Sequence, residues 1–401
     1  MDERRRSTKA LANDEVIRSS AVNEIIRVGV DRLSLRDVGN LAGLTHGAAY
    51  ARYEVVDELL ADVWNSTLRD RLVSMSQLSQ CAAKDPSAST VGELFEFIRC
   101  ADARDRAAIE VLLVSRRIPA LHEETKLFVR GYLEPSGSSP AESARAVVLF
   151  GLMMAQILAD AQFGFDAEYQ SALEKLMLEA LGARAPDSRV GVDEIDRSPA
   201  PTSEPDRDRV SLDLDLKSKL ARATCEVVGK SGFGLATISR IARRTNCSPG
   251  AIYKFHRSKE ALVLGAFEGL MESARTASDL ELMLGESHLA VLLNRAVSDE
   301  GEVRRDFMLE MALAAAHNDA MRSTVWGQLI ESGVQSSALL ERDDSRDQRL
   351  QYANRVIATV VLAVSWLATM AGSNTSFDMN SFAEPLRRGL VNQWFPDGVG
   401  S

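Results

Sequence analysis

Residues 232–262 read GFGLATISRIARRTNCSPGAIYKFHRSKEAL, and this stretch decides the fold. Just before it, Leu216, Leu220, Ala223 and Val227 recur at helical spacing, which predicts a helix over 216–230. Gly232 follows where a left-handed residue would end that helix. Thr237 is a good N-cap for a second helix carrying Ile238, Ile241 and Ala242. Thr245, Asn246 and Cys247 make the turn. Ser248 can cap a third helix over 249–255, with Pro249 at its first position, where a missing N–H does no harm. Ser258 then caps a fourth helix that begins Lys259-Glu260. Two short helices on a tight turn, the second presented outward, form the geometry that enters a DNA major groove.

The charge pattern agrees. The chain has 401 residues and a net charge of −10, which taken whole argues against nucleic acid. Within 217–260, however, ten Lys and Arg stand against Glu226 and Glu260, a net of +8. Such density inside an acidic protein is the footprint of phosphate binding. Thr237, Ser248 and Tyr253 add hydroxyl donors, helix N-termini direct amides at phosphates, and Gly250 lets backbone approach closely.

These residues resemble the DNA-binding domain of the TetR family of one-component regulators. The family pattern is met by Gly232-Phe233, Thr237, Ile241-Ala242, Ser248-Pro249-Gly250, Ile252-Tyr253, Phe255-His256 and Lys259-Glu260-Ala261-Leu262. The Phe255-His256 order is swapped relative to the family, and Asn246 stands where Gly is typical. The resemblance implies phosphate contacts from Thr237, Tyr253 and Lys259. It implies groove contacts from the exposed face of 248–256, with Ser248, Pro249, Ala251 and Lys254 nearest the bases. Arg240, Arg243, Arg244, Gly250 and His256 complete the expected DNA-binding set. Ile238, Ile241, Ala242, Ile252, Phe255 and Leu262 would be the small core behind it. His256 occupies a position the family gives to a buried aromatic, which favours packing or a capping hydrogen bond over a titrating switch.

The pattern repeats at an offset of 203 residues. Gly29 aligns with Gly232, Ser34 with Thr237, Thr45 with Ser248, Gly47 with Gly250, Tyr50 with Tyr253 and Leu59 with Leu262. A weaker echo joins IEVLLVSRRIPAL at 109–121 to LEMALAAAHNDAM at 309–321. Between the halves, 183–213 holds Pro186, Pro199, Pro201 and Pro205 among Asp, Arg and Ser, the composition of a flexible linker. The sequence therefore predicts an all-α protein of two tandem TetR-like units. Residues 11–71 form a degenerate helix-turn-helix domain with its motif at 35–54, and 72–182 a helical domain. Residues 214–274 form the second helix-turn-helix domain, with its motif at 238–257, and 275–396 a second helical domain.

The first copy is thinned. Residues 14–57 hold five Arg and seven acids, a net of −2. Asp37 replaces Arg240, Ala51 replaces Lys254 and Val56 replaces Lys259. Ser34, Arg36, Thr45, Gly47, Tyr50 and Arg52 remain as candidate contacts of a weaker head. Two readings stay open: a weak half-site reader helped by Arg4-Arg5-Arg6, or a structural partner that does not touch DNA. Lys254 and Lys259 are expected to carry binding, and Arg36 little of it.

The resemblance further implies pairing through the last helices of each unit, here 141–160 with 166–181 and 346–370 with 377–393. The halves would then form a pseudo-dimer within one chain, with a homodimer of chains as the rival. It also implies release from an operator in double-stranded DNA by a small effector. Phe128, Phe150, Met153, Met154, Met308, Met311, Met321, Trp326 and Trp366 suit an apolar one, although a bundle core needs such residues anyway. Repression is the family default. A helical interaction scaffold with at most one working head is the alternative, which the +8 window opposes.

No P-loop, GxSxG, HExxH or dinucleotide fingerprint occurs. The five His have no obvious partner acids, so catalysis and cofactors are not expected. Cys81, Cys100, Cys225 and Cys247 lack metal spacing and read as reduced, buried thiols. No apolar run reaches the ~18 residues of a membrane span; the best candidate, 356–370, contains Ser365 and Thr369 and reads as a buried helix. With no secretory signal visible at the Arg-rich start, a cytoplasmic protein is expected.

Overall fold

A computed structural model describes residues 8–133, 138–164, 166–182, 216–283 and 302–331, and helical positions among 355–370 and 385–390. The Arg4-Arg5-Arg6 arm, the 183–213 linker and most of 377–393 lie outside the described residues. All described secondary structure is helical. The chain opens with α1 (Thr8–Val28), a 3-10 turn (Val30–Arg32), α2 (Leu35–Leu41), α3 (His46–Tyr50) and α4 (Val56–Val63). One π turn, Trp64–Leu68, joins α4 to α5 (Arg69–Lys84) and seats Trp64 fully inside. Next come α6 (Ala88–Cys100), α7 (Ala103–Val114), a 3-10 turn (Ser115–Arg117), α8 (Pro119–Leu133), α9 (Pro140–Phe163) and α10 (Ala167–Gly182). The later part holds α11 (Leu216–Leu235), α12 (Ile238–Arg244), α13 (Pro249–Tyr253), α14 (Lys259–Met283), α15 (Glu302–Ala316) and α16 (Asp319–Glu331).

Local chemistry sets the helix starts. Asp102 accepts the amides of Arg104 and Asp105 while Asp105 accepts the amide of Asp102, a capping box that starts α7. Ser139 and Glu142 do the same for α9, with Pro140 in the first turn. Such caps satisfy amides that have no partner inside the helix. α1 stops at Gly29, whose φ is +82°. Gly232, at φ +80° and ψ 158°, breaks α11 in the same way. The ψ is extended rather than left-handed helical, so the expected αL cap is replaced by a conformation that only glycine adopts freely.

One apolar core runs through both parts of the chain. It joins Ile17, Ile25, Trp64, Leu112 and Phe150 to Phe267, Phe307, Met311, Val360 and Trp366. Trp64 meets Phe128 edge-on at 5.6 Å. The two parts approach closely at Gly151 of α9, where a Cβ would lie 2.7 Å from Ala363 Cβ. Near the C-terminal end of α9, Arg355 pairs with Asp160 at 3.0 Å and stacks on Tyr169 at 4.0 Å.

A polar junction departs from the sequence reading. Arg116 and Arg117 donate to buried Glu310 at 2.6 and 3.0 Å, and Arg116 also pairs with Asp306 at 3.2 Å. Arg117 bonds Asp31, and Asp31 accepts the amide of Gly234 at 2.8 Å. His317 meets Glu110 at 2.7 Å, so the expectation that the His lack partner acids is wrong at this position. Arg116, Arg117 and His317 lie 86 to 207 positions from these acids in sequence, and only the packing brings them together.

Two further expectations need correction. α9 does contain a stretch, Ala141–Ala161, long and apolar enough to cross a membrane, but 83% of its most apolar window is buried inside the protein. Its high mean hydropathy is explained by core around most of the helix. The thiols are not uniformly buried: Cys81 and Cys100 are exposed, Cys247 is intermediate and Cys225 is buried.

Candidate nucleic-acid interface

The segment around 232–262 is built by its caps. Thr237 Oγ1 accepts the amide of Arg240 at 3.3 Å and starts α12. Asn246 then takes φ +53°, and its aligned residue Gly43 takes φ +64°. Asn is one of the few side chains that tolerate this region, which is why the departure from Gly at 246 leaves the turn intact. Ser248 Oγ accepts the amide of Ala251 at 3.2 Å and starts α13 with Pro249 in its first turn. Ser258 accepts the amide of Ala261 at 3.1 Å and starts α14.

Behind these helices lies a small separate core of Leu220, Ala223, Ile241, Ala242, Ile252 and Leu262, with Ile238 and Cys247 packed on it. Phe255 does not belong to it. It is 56% exposed, while the neighbouring His256 turns inward against Gly265. The swapped order thus exchanges which residue faces in. Burial holds the His256 imidazole below its ordinary pKa, consistent with a packing role.

The outer face carries most of the expected set. Ser248, Pro249, Gly250, Tyr253 and Lys254 are exposed, and Ala251 is half-buried. Thr237, Arg240, Arg243 and Arg244 are also exposed. Their charges are not equally available. Arg244 pairs with Glu226 at 2.6 Å. Arg240 donates to the Leu235 carbonyl at 3.1 Å. Lys259 is half-buried, with Nζ 2.9 Å from the Phe233 carbonyl oxygen and 4.1 Å from the Phe233 ring centroid. Burial lowers its pKa. Arg243, Lys254 and Arg257 are exposed and have no ion pair among the described residues. Arg257 is one of the ten basic residues of 217–260, and its exposure next to Lys254 adds it to the candidate contacts.

The earlier segment has the same order of short helices and a different surface. Ser34 accepts the amide of Asp37 at 3.1 Å and starts α2, whereas Thr45 makes no capping bond to α3. Arg36, Gly47 and Tyr50 are exposed. Arg52 is held by buried Asp14. At the positions aligned with Arg243, Lys254 and Arg257 stand Asn40, Ala51 and Glu54. Leu41 and Val55, aligned with Arg244 and Ser258, are over half exposed.

Residues 220–266 match the family described as bacterial regulatory proteins, tetR family. No curated protein matches the chain. The matched residues coincide with the capped helices, their small core and the exposed cations. They support a DNA-binding transcription regulator of the TetR type, a class of regulators that are generally not enzymes. Among the described residues no group of three His, Cys, Asp or Glu could hold a metal ion.

Proposed function

We propose that this chain is a repressor that grips operator DNA mainly with α12 and α13, its two halves packed as a pseudo-dimer. The observation that carries the reading is the contrast between aligned surfaces. Arg243, Lys254 and Arg257 stand free on one, and Asn40, Ala51 and Glu54 replace them on the other. A phosphate clamp loses affinity steeply with each contact removed. In this reading α2 and α3 are a structural partner, since Arg52 is occupied by Asp14. Tyr253, Thr237 and Ser248 supply hydroxyls to phosphates beside the free cations. Lys259 reaches DNA only after leaving the Phe233 carbonyl, so it contributes less than Lys254. Contacts such as Gly151 on Ala363 and Arg355 on Asp160 favour pairing within one chain over a homodimer. A small apolar effector would act among the sulfur- and aromatic-rich helices α9 and α15.

A gel shift on the upstream region of the protein's own gene, titrated with salt, tests this. Arg243→Ala, Lys254→Ala and Arg257→Ala together should abolish the shift at moderate salt. Each phosphate contact removed should lower the salt slope by about 0.9. Arg36→Ala should change neither. A triple variant that binds with wild-type affinity and slope refutes the assignment. Light scattering at micromolar concentration addresses the pairing: a mass near 43.8 kDa is expected, and twice that value excludes a pseudo-dimer as the sole form.

A further inference from the structure

Gly29 and Gly232 are covered in matching ways. A Cβ at Gly29 would lie 2.7 Å from His317 Cδ2, and one at Gly232 would lie 2.6 Å from Arg117 Cζ. Each covering side chain pairs with a buried glutamate from the other part of the chain. His317 Nε2 is 2.7 Å from Glu110 Oε2, and Arg117 Nε is 3.0 Å from Glu310 Oε1. Glu110 aligns with Glu310 and Arg117 with His317 in the weaker sequence echo. The two arrangements differ in one chemical respect. A guanidinium never deprotonates in a protein, whereas an imidazole does so near neutrality. The second oxygen of Glu110 accepts the amide of Val30 at 2.7 Å, the first amide beyond Gly29.

We propose that His317 is a positioning residue for the Gly29–Arg32 turn. Its charged form holds that turn through Glu110 and releases it on losing the proton, while Arg117 holds the matching turn at Gly232 at every pH. The groups around His317 come from several elements. Glu110 is on α7, Asp31 and Arg32 are on the first 3-10 turn, and Arg117 is on the second. Lys259 and Glu260 of α14 and Glu310 of α15 line the same cleft of about 200 Å³. Burial pulls the imidazole pKa down, but the hydrogen bond and charge of Glu110 outweigh it and leave the pKa raised. The sign follows from that direction. The charged tie is complete below the ordinary His value of ~6.5 and is lost as pH rises through the higher folded value. A neutral imidazole can still donate to Glu110, but a charge-assisted bond is roughly twice as strong. Glu110 is also 8% exposed, so water does little to replace the lost charged partner.

Hydrogen–deuterium exchange on the full chain, from about pH 5.5 to about pH 8.5 across the His range, tests the proposal. The amides of 29–34 are compared with those of 232–237 in the same molecule, which cancels the intrinsic pH dependence of exchange. In the wild type, protection of the first segment relative to the second should fall about three- to tenfold as His317 titrates. His317→Arg, which recreates the Arg117–Glu310 chemistry, should keep the ratio high and flat. His317→Gln should keep it low and flat. A flat wild-type ratio, or a His317→Arg profile that follows the wild type, overturns the proposal. If His317→Gln does not fold, the wild type and His317→Arg still decide. None of these readouts depends on which segment touches DNA.

Discussion

Gly151 gives the sharpest test of how the two parts of the chain pack. In the interior of a helix, Gly→Ala ordinarily stabilises by about 0.5–1 kcal/mol, because glycine loses more backbone freedom on folding. Gly92, inside α6, should behave that way, since a Cβ there would meet only Glu174 Oε1 at 3.6 Å, an ordinary contact. At Gly151 the same methyl would sit 2.7 Å from Ala363 Cβ and 2.9 Å from that residue's carbonyl carbon and oxygen. Carbon contacts are optimal at about 3.5–4.0 Å, so α9 must move away by about 1 Å. The surrounding side chains, among them Val148, Leu152, Val360 and Leu367, are buried, and a gap of that size forfeits a quarter to a half of each contact. Overpacking of this kind costs about 1–3 kcal/mol. Set against the helical gain, Gly151→Ala should destabilise by about 1–2 kcal/mol. Urea unfolding followed by circular dichroism measures both variants. The expected result is opposite signs, with the Gly151→Ala midpoint lowered at unchanged slope. If Gly151→Ala is stabilised as Gly92→Ala is, the close approach of α9 to residues 359–367 is wrong.

Two other consequences are checked more simply. Glu310→Gln removes the anion that Arg116 and Arg117 share and leaves two largely buried guanidiniums underpaired. Breaking a buried pair from one side should cost about 3–5 kcal/mol, read by urea unfolding; a loss under about 1 kcal/mol contradicts the junction. Burial pushes the Cys225 thiol up to about 12. A disulfide reagent near pH 8 should therefore modify exposed Cys81 and Cys100 rapidly and Cys225 only on unfolding, as mass spectrometry of the labelled peptides would show.

The parts of the fold that were legible in the sequence are those fixed by neighbouring residues. Thr237, Ser248 and Ser258 declare helix starts because a cap acts within three positions of itself. Ile241, Ile252 and Leu262 declare a core by spacing alone. The packing of His256 was legible, but the exposure of Phe255 was not. Both are aromatic and adjacent, and the packing against Gly265 selects the one that faces in. The availability of charge was equally hidden. Arg52 and Lys254 look alike in a sequence, yet Asp14, 38 residues away, occupies the first and nothing among the described residues occupies the second. The echo between 109–121 and 309–321 was visible as apolar similarity. Its meaning lay in Glu110, Arg117, Glu310 and His317, whose partners sit about 200 positions apart.

The two helix pairs have different mechanical footing as well as different charge. Leu35, Val38 and Tyr53, around α2 and α3, belong to the main core of the molecule. α12 and α13 are instead held through a separate cluster of six buried residues. A small cluster opens locally at lower free energy than a large contiguous core, so the basic surface is carried on the more adjustable platform. The flanking helices α11 and α14 tie it to the rest through Val228, Phe233, Val263 and Phe267 of the main core, and through Arg117 over Gly232 and Asp31 on the amide of Gly234. The acidic surface is fused to the body, and the turn after α1 is tied by His317 through Glu110. A DNA reader gains from this division. In the proposed reading, the element that fits a groove keeps local freedom while the acidic copy serves as the fixed reference beside it.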